Sequence, residues 1–145
     1  MRSRNFASDN NAGISPAAFQ GLMECNAGQQ AADGDDGWCE RAKRRISEWL
    51  GRECDVYFVP GGTAANSLCI SASIRSYQSV LCHEFSHIHC DECHAPGWFN
   101  PGIQLRPLPG SKGKLDPSTF ESVRDASHGV HGTLPGLVSV TQTTE

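Results

Sequence analysis

Short apolar segments alternate with helix-forming segments along this chain, and no other feature restricts its fold as strongly. Runs of strand length, bounded by turn residues, occur at residues 55–59, 79–82, 104–108 and 136–141. Helical spacing or capping signals occur at residues 16–26, 37–51 and 63–74, and again from Leu115-Asp116-Pro117-Ser118 onward. Strands that alternate with helices predict an α/β fold with a mostly parallel sheet and flanking helices.

Composition and charge narrow the possible functions. Hydrophobic residues make up 38% of the 145 residues and charged residues 19%, which is typical of a globular chain. The net charge is -4 and the basic cluster from Arg41 to Arg45 falls on a predicted helix face, so we expect no nucleic-acid partner. Residues 1–6 lead into no apolar run, which predicts neither an export signal nor a membrane span. Seven scattered cysteines, an odd number, predict reduced thiols and a cytoplasmic protein.

The apolar run at residues 55–59 continues through Pro60-Gly61-Gly62-Thr63, the Gly-Gly-Thr turn, into a predicted helix. Two glycines allow a sharp turn with outward-facing N–H groups, the helix N-terminus adds partial positive charge, and the Thr63 hydroxyl adds a donor. This combination suits a phosphate monoester. It is not a Walker loop, because no Gly-Lys-Ser/Thr follows. Gly-Gly before a helix is also typical of a simple tight turn.

Residues 82–94 hold four of the six histidines and three of the seven cysteines. Within them, His83-Glu84-Phe85-Ser86-His87 matches the His-Glu-x-x-His pattern of zinc hydrolases. That chemistry needs both histidines on one helix face, whereas His83 directly follows a predicted strand. The alternative is a loop after a strand that delivers one imidazole onto a flat cofactor ring.

Six ordered motifs run from residue 6 almost to the end of the chain: Phe6-Ala7-Ser8-Asp9-Asn10-Asn11-Ala12-Gly13, Gly34-Asp35-Asp36, Gly62-Thr63-Ala64-Ala65-Asn66, Cys82-His83-Glu84-x-x-His87-Ile88, Asp91-Glu92-Cys93-x-Ala95-Pro96 and Gly113-Lys114-Leu115. Together they resemble low-specificity L-threonine aldolases, which belong to the aromatic amino acid beta-eliminating lyase group of fold-type I pyridoxal-phosphate enzymes.

The resemblance implies a function and a site. The family reaction cleaves a β-hydroxy-α-amino acid, of the L-threonine, allo-threonine or phenylserine type, into glycine and an aldehyde with pyridoxal 5'-phosphate. Gly62 and Thr63 would hold the cofactor phosphate, His87 would stack on the pyridine ring and handle protons, and Ser8 would lie near the substrate carboxylate. Family members are homo-oligomers, so the resemblance also implies a dimer or tetramer. It implies no metal.

The chain departs from the family pattern at three points. Asp33 replaces a tyrosine that reaches a neighbouring subunit's site, and His94 replaces a common glycine, which predicts strain if the backbone there has positive φ. No credible Schiff-base lysine is present among Lys43, Lys112 and Lys114. We therefore expect residues 1–145 to be the truncated N-terminal part of the cofactor-binding large domain, without the rest of that domain or the small domain. Such a chain would be inactive alone, or a folded non-catalytic remnant.

Overall fold

The computed structural model describes residues 11–125 and 129–141. The chain forms two compact units, which divide between Tyr57 and Phe58. None of the helices in the described ranges is long and apolar enough to cross a membrane.

The first unit contains two helices with well-defined ends: α1 (Pro16–Cys25) and α2 (Gly37–Leu50). As predicted, the Ser15 side chain caps α1, accepting a hydrogen bond from the Ala18 amide at 3.2 Å, and proline follows in the first turn. Asp36 caps α2 by accepting hydrogen bonds from the amides of the next helix residues. These contacts explain why local signals alone predicted both helices closely.

The second unit contains a three-stranded sheet and the helices that cover it. In chain order its elements are α3 (Gly62–Ser73), β1 (Gln78–His83), α4 (His87–Cys90), α5 (Ala95–Phe99), β2 (Gln104–Leu108), α6 (Pro117–Asp125) and β3 (Leu134–Val138). Short 3₁₀ turns lie at Ser111–Gly113 and Gly129–His131. The strand order is β2-β1-β3, and both pairings are parallel. The predicted parallel sheet is therefore confirmed.

Apolar side chains cover both faces of the central strand. Because side chains alternate along a strand, Val80 and Cys82 lie on one face and Leu81 on the other. Val80 and Cys82 pack with Ile70 of α3 and the buried residues around it. Leu81 packs with Val123 of α6 on the opposite side. Helices on both faces of a parallel sheet are the layered α/β arrangement that the alternation predicted.

One predicted strand is wrong. Residues 55–59 form no helix or strand, and Tyr57 and Phe58 are 83% and 55% exposed. An apolar run shows that side chains favour burial, but a strand also needs a neighbour with which to pair. In the described residues this segment pairs with none of β1, β2 and β3. The last strand also begins two residues earlier than predicted, at Leu134, and ends at Val138.

Candidate functional site

The Gly-Gly-Thr turn lies at the N-terminus of α3, as predicted. The helix follows Gly61, and no side chain of the described residues caps it. Its first-turn N–H groups therefore carry the positive end of the helix dipole without a capping acceptor. Gly61 has an extended backbone with φ of -177°, and neither Gly61 nor Gly62 has positive φ.

Both glycines face open space. A Cβ added at Gly61 or Gly62 would meet no atom of the described residues within 4 Å. A concavity of about 390 Å³ opens beside the turn, within the size range of small-molecule sites. It is lined by Pro60, Gly61, Thr63, Ala64, Ser67 and Phe99. Open volume beside uncapped N–H groups fits an anionic ligand such as a phosphate ester.

His87 is the first residue of the short helix α4. The next residue, Ile88, is buried in the core with Val80 and anchors this helix against the sheet. The His87 side chain remains 42% exposed, and its Nδ1 atom lies 2.7 Å from Oε1 of Glu92. The Nδ1 contact orients the imidazole while part of the side chain faces solvent, which is suitable for contact with a ligand.

Glu92 and Asn66 connect His87 to the helix of the Gly-Gly-Thr turn. Glu92 is almost completely buried, with its side chain 0% exposed. Its Oε1 atom also accepts a hydrogen bond from Nδ2 of Asn66 at 2.7 Å. Asn66 lies one turn after Thr63 in α3. One carboxylate oxygen therefore connects the segment that bears His87 with the helix that bears Gly62 and Thr63.

Sequence reasoning gave neither of these two residues a role. Both stand inside quoted motifs, Gly62-Thr63-Ala64-Ala65-Asn66 and Asp91-Glu92-Cys93, but they are 26 positions apart. The available signal in the sequence was an amide side chain shortly after Thr63 and a carboxylate shortly after His87. Only the packing of α4 and α5 near α3 brings them together.

His83 has a structural role instead. It is 2% exposed at the end of β1. Its Nδ1 atom accepts a hydrogen bond from the Phe85 amide at 3.0 Å, so Nε2 carries the proton and donates to the Gly110 carbonyl at 3.0 Å. Both ring nitrogens are therefore engaged within the protein.

The His-Glu-x-x-His pattern consequently lacks the geometry of its zinc chemistry. It runs from the last residue of β1 through a turn to the start of α4, rather than along one helix. Among the side chains that the structure describes, no three from His, Cys, Asp or Glu are grouped to hold a metal ion.

The two unusual positions noted in the sequence both have left-handed backbone. His94 has φ of 59°, which is the condition under which its replacement of a common family glycine was expected to cause strain, and Cys93 before it has φ of 48°. The His94 ring lies so close to Gly97 that a Cβ there would come within 2.0 Å of its Nε2 atom. Asp33, in the other unit, is exposed with φ of 61°. Ser8 lies outside the described residues.

The layered parallel sheet and the uncapped, glycine-lined helix N-terminus define an α/β protein with a candidate phosphate site. Residues 5–145 match the model of the beta-eliminating lyase family, and the chain belongs to that family. It is 40% identical over 144 residues to a low specificity L-threonine aldolase of a Pseudomonas species, and 39% identical over 142 residues to that of Pseudomonas aeruginosa. These alignments cover 99% and 98% of this chain but 42% and 41% of the relatives.

A solved structure supports the same fold. The threonine aldolase of Leishmania major superposes with a TM-score of 0.84 and 31% sequence identity, over 93% of this chain and 39% of that one. The fold-type I assignment from the sequence is thereby confirmed. The chain spans about two fifths of the length of the relatives that it matches.

Proposed function

We propose that this chain supplies the phosphate-binding and ring-stacking part of a pyridoxal 5'-phosphate site. The protein to which this site belongs is a lyase that cleaves β-hydroxy-α-amino acids into glycine and an aldehyde. The observation that carries the proposal is the uncapped N-terminus of α3, with open space before Gly61 and Gly62. Membership of the beta-eliminating lyase family and similarity to threonine aldolases support the reaction class.

In this proposal each site residue has a specific task. The N–H groups at Gly62 and Thr63, with the Thr63 hydroxyl, bind the phosphate. His87 presents its partly exposed imidazole to the pyridine ring and can accept or release a proton. When bound, the cofactor supplies an electron sink for the electron pair of the broken carbon–carbon bond. Ser8 is proposed to lie near the substrate carboxylate.

We also propose that residues 1–145 correspond to the N-terminal part of the cofactor-binding large domain, and that the whole enzyme is a homo-oligomer. No lysine here suits the covalent attachment of the cofactor. Lys43 donates to Glu40 at 2.8 Å, and that hydrogen bond raises the pKa of its ammonium group, whereas a lysine nucleophile needs a lowered pKa. Lys112 and Lys114 are exposed near the 3₁₀ turn at Ser111–Gly113. We expect the 145-residue chain alone to release no glycine from allo-threonine.

Ligand binding to the purified chain tests the proposed site directly. Pyridoxamine 5'-phosphate is a suitable probe, because its amine forms no imine with surface lysines. Calorimetric titration should show binding, and pyridoxamine without the phosphate should bind at least about tenfold more weakly, corresponding to about 1.4 kcal/mol. Thr63→Val should weaken binding of the phosphorylated probe. The same exchange in α6, Thr119→Val, should not.

Two results would contradict the proposed site. One is equal affinity for pyridoxamine and its phosphate ester, which would show that the phosphate does not contribute to binding. The other is equal weakening by Thr63→Val and Thr119→Val, which would place the phosphate elsewhere. Glycine release by the isolated chain would contradict the expectation that it is inactive alone.

A further inference from the structure

We propose that Glu92 is the positioning residue for His87, fixing the proton of the neutral imidazole on Nδ1. This inference rests on the proposed function, because it assigns the state in which His87 would meet the cofactor and substrate. It concerns a carboxylate to which the sequence motifs gave no role.

The burial of Glu92 is the first observation. A carboxylate whose side chain is 0% exposed is costly to bury unless opposite charge or hydrogen-bond donors compensate it. Its Oε1 atom receives two short contacts, from Asn66 and His87, each of 2.7 Å. Its Oε2 atom is buried without a hydrogen-bond partner in the described part of the chain. The carboxylate is thus directed toward these two side chains rather than toward solvent.

The contact geometry then determines where the proton lies. Asn66 contacts Oε1 through its amide nitrogen, which only donates, so Oε1 is an acceptor in that contact. An ionised carboxylate only accepts hydrogen bonds, so its contact with an imidazole nitrogen requires the proton to lie on that nitrogen. Nδ1 of His87 therefore donates to Oε1. The same logic fixes the tautomer of histidines whose second nitrogen performs the chemistry in catalytic and metal sites.

The arrangement also explains how His87 is held relative to the Gly-Gly-Thr turn. Asn66 comes from α3, the helix whose N-terminus carries the candidate phosphate site. Glu92 lies between α4 and α5, and it contacts both Asn66 and His87. Other titratable residues on the same segment include Glu84, His89 and Asp91, which are exposed. Glu92 is the buried acid in contact with the imidazole.

Nuclear magnetic resonance of the ¹⁵N-labelled 145-residue chain tests the assignment without cofactor. Long-range ¹⁵N–¹H spectra report which ring nitrogen of neutral His87 carries the proton, and the signal is assigned by its loss in His87→Gln. We expect the Nδ1–H form. We also expect Glu92→Gln to lower the pKa of His87 by about one unit or more, because an opposite charge in contact is removed. The matched exchange Glu84→Gln, at an exposed acid nearby, should change that pKa much less.

The outcomes separate this inference from the proposed function. Neutral His87 protonated on Nε2 in the unsubstituted chain would overturn the assignment, even if Glu92→Gln failed to fold. Equal pKa changes in the two variants would overturn it as well. A failure to bind pyridoxamine 5'-phosphate would instead count against the proposed cofactor site and leave the His87 tautomer to be decided by the spectra.

Discussion

Replacing Gly62 with alanine should stabilise the protein and weaken its ligand binding at the same time. Gly62 is the first residue of α3, and a Cβ there would meet no atom of the described residues within 4 Å. Glycine in a helix is less favourable than alanine by about 0.5–1 kcal/mol, because its unfolded chain has more freedom to lose. With a urea m value of about 2 kcal/mol/M, the unfolding midpoint should rise by about 0.3 M.

The same methyl group would occupy the volume that we assign to the phosphate. We therefore expect Gly62→Ala to weaken binding of pyridoxamine 5'-phosphate by at least about tenfold, or 1.4 kcal/mol. Gly37→Ala is a matched control, since Gly37 is the first residue of α2 and also has open space for a Cβ. It should give a similar gain in stability with no change in affinity. Unchanged affinity in a stabilised Gly62→Ala variant would refute the location of the phosphate at this turn.

Two further predictions concern stability. Gly110→Ala should destabilise the fold by about 3 kcal/mol, because the added Cβ would lie 1.9 Å from the Lys114 carbonyl oxygen. The clash would also displace the Gly110 carbonyl, which accepts a hydrogen bond from buried His83. An unchanged urea midpoint would contradict this prediction. The pKa of Asp36 is lowered below its ordinary 3.8 by hydrogen bonds from the Cys39 thiol and amide and from the Trp38 amide. The ionised Asp36 therefore stabilises the fold fully above pH 3.8, and this stabilisation is lost as pH falls through the lowered pKa. Asp36→Asn should keep a capping side chain but lessen the loss of stability below about pH 4 in acid unfolding, and identical acid profiles would count against the assignment.

Local signals in the sequence predicted most of the fold. The Ser15-Pro16 capping signal acts over three or four residues, and the helical spacing of apolar residues in α2 lies within one helix, so both can be recognised without knowing the tertiary structure. The alternation of apolar runs with helices predicted the parallel sheet for the same reason. Residues 55–59 show where this reasoning fails, since their apolar character could not reveal whether another strand lies beside them to pair.

The candidate site was predictable in part. The Gly-Gly-Thr turn is a continuous segment, and its position before a helix follows from the sequence. The role assigned to His87 came from family resemblance rather than from its spacing. The contact between Asn66 and Glu92 joins positions 26 residues apart, and it depends on how two short helices pack. The burial of Glu92 and the internal hydrogen bonds of His83 are likewise products of tertiary structure.

The strand order β2-β1-β3 has a consequence for synthesis of the chain on the ribosome. Ser79 pairs with Gln104 in β2, whereas Gln78 pairs with Leu134 in β3, a separation more than twice as long. The longer loop adds about 0.7 kcal/mol of closure entropy, so β2 is expected to join β1 first. At about 5–20 residues per second, the roughly 25 residues between β2 and β3 take about 1–5 s to be added. During that interval one edge of β1 has no partner strand, and a nascent chain in this state is open to pairing with another chain.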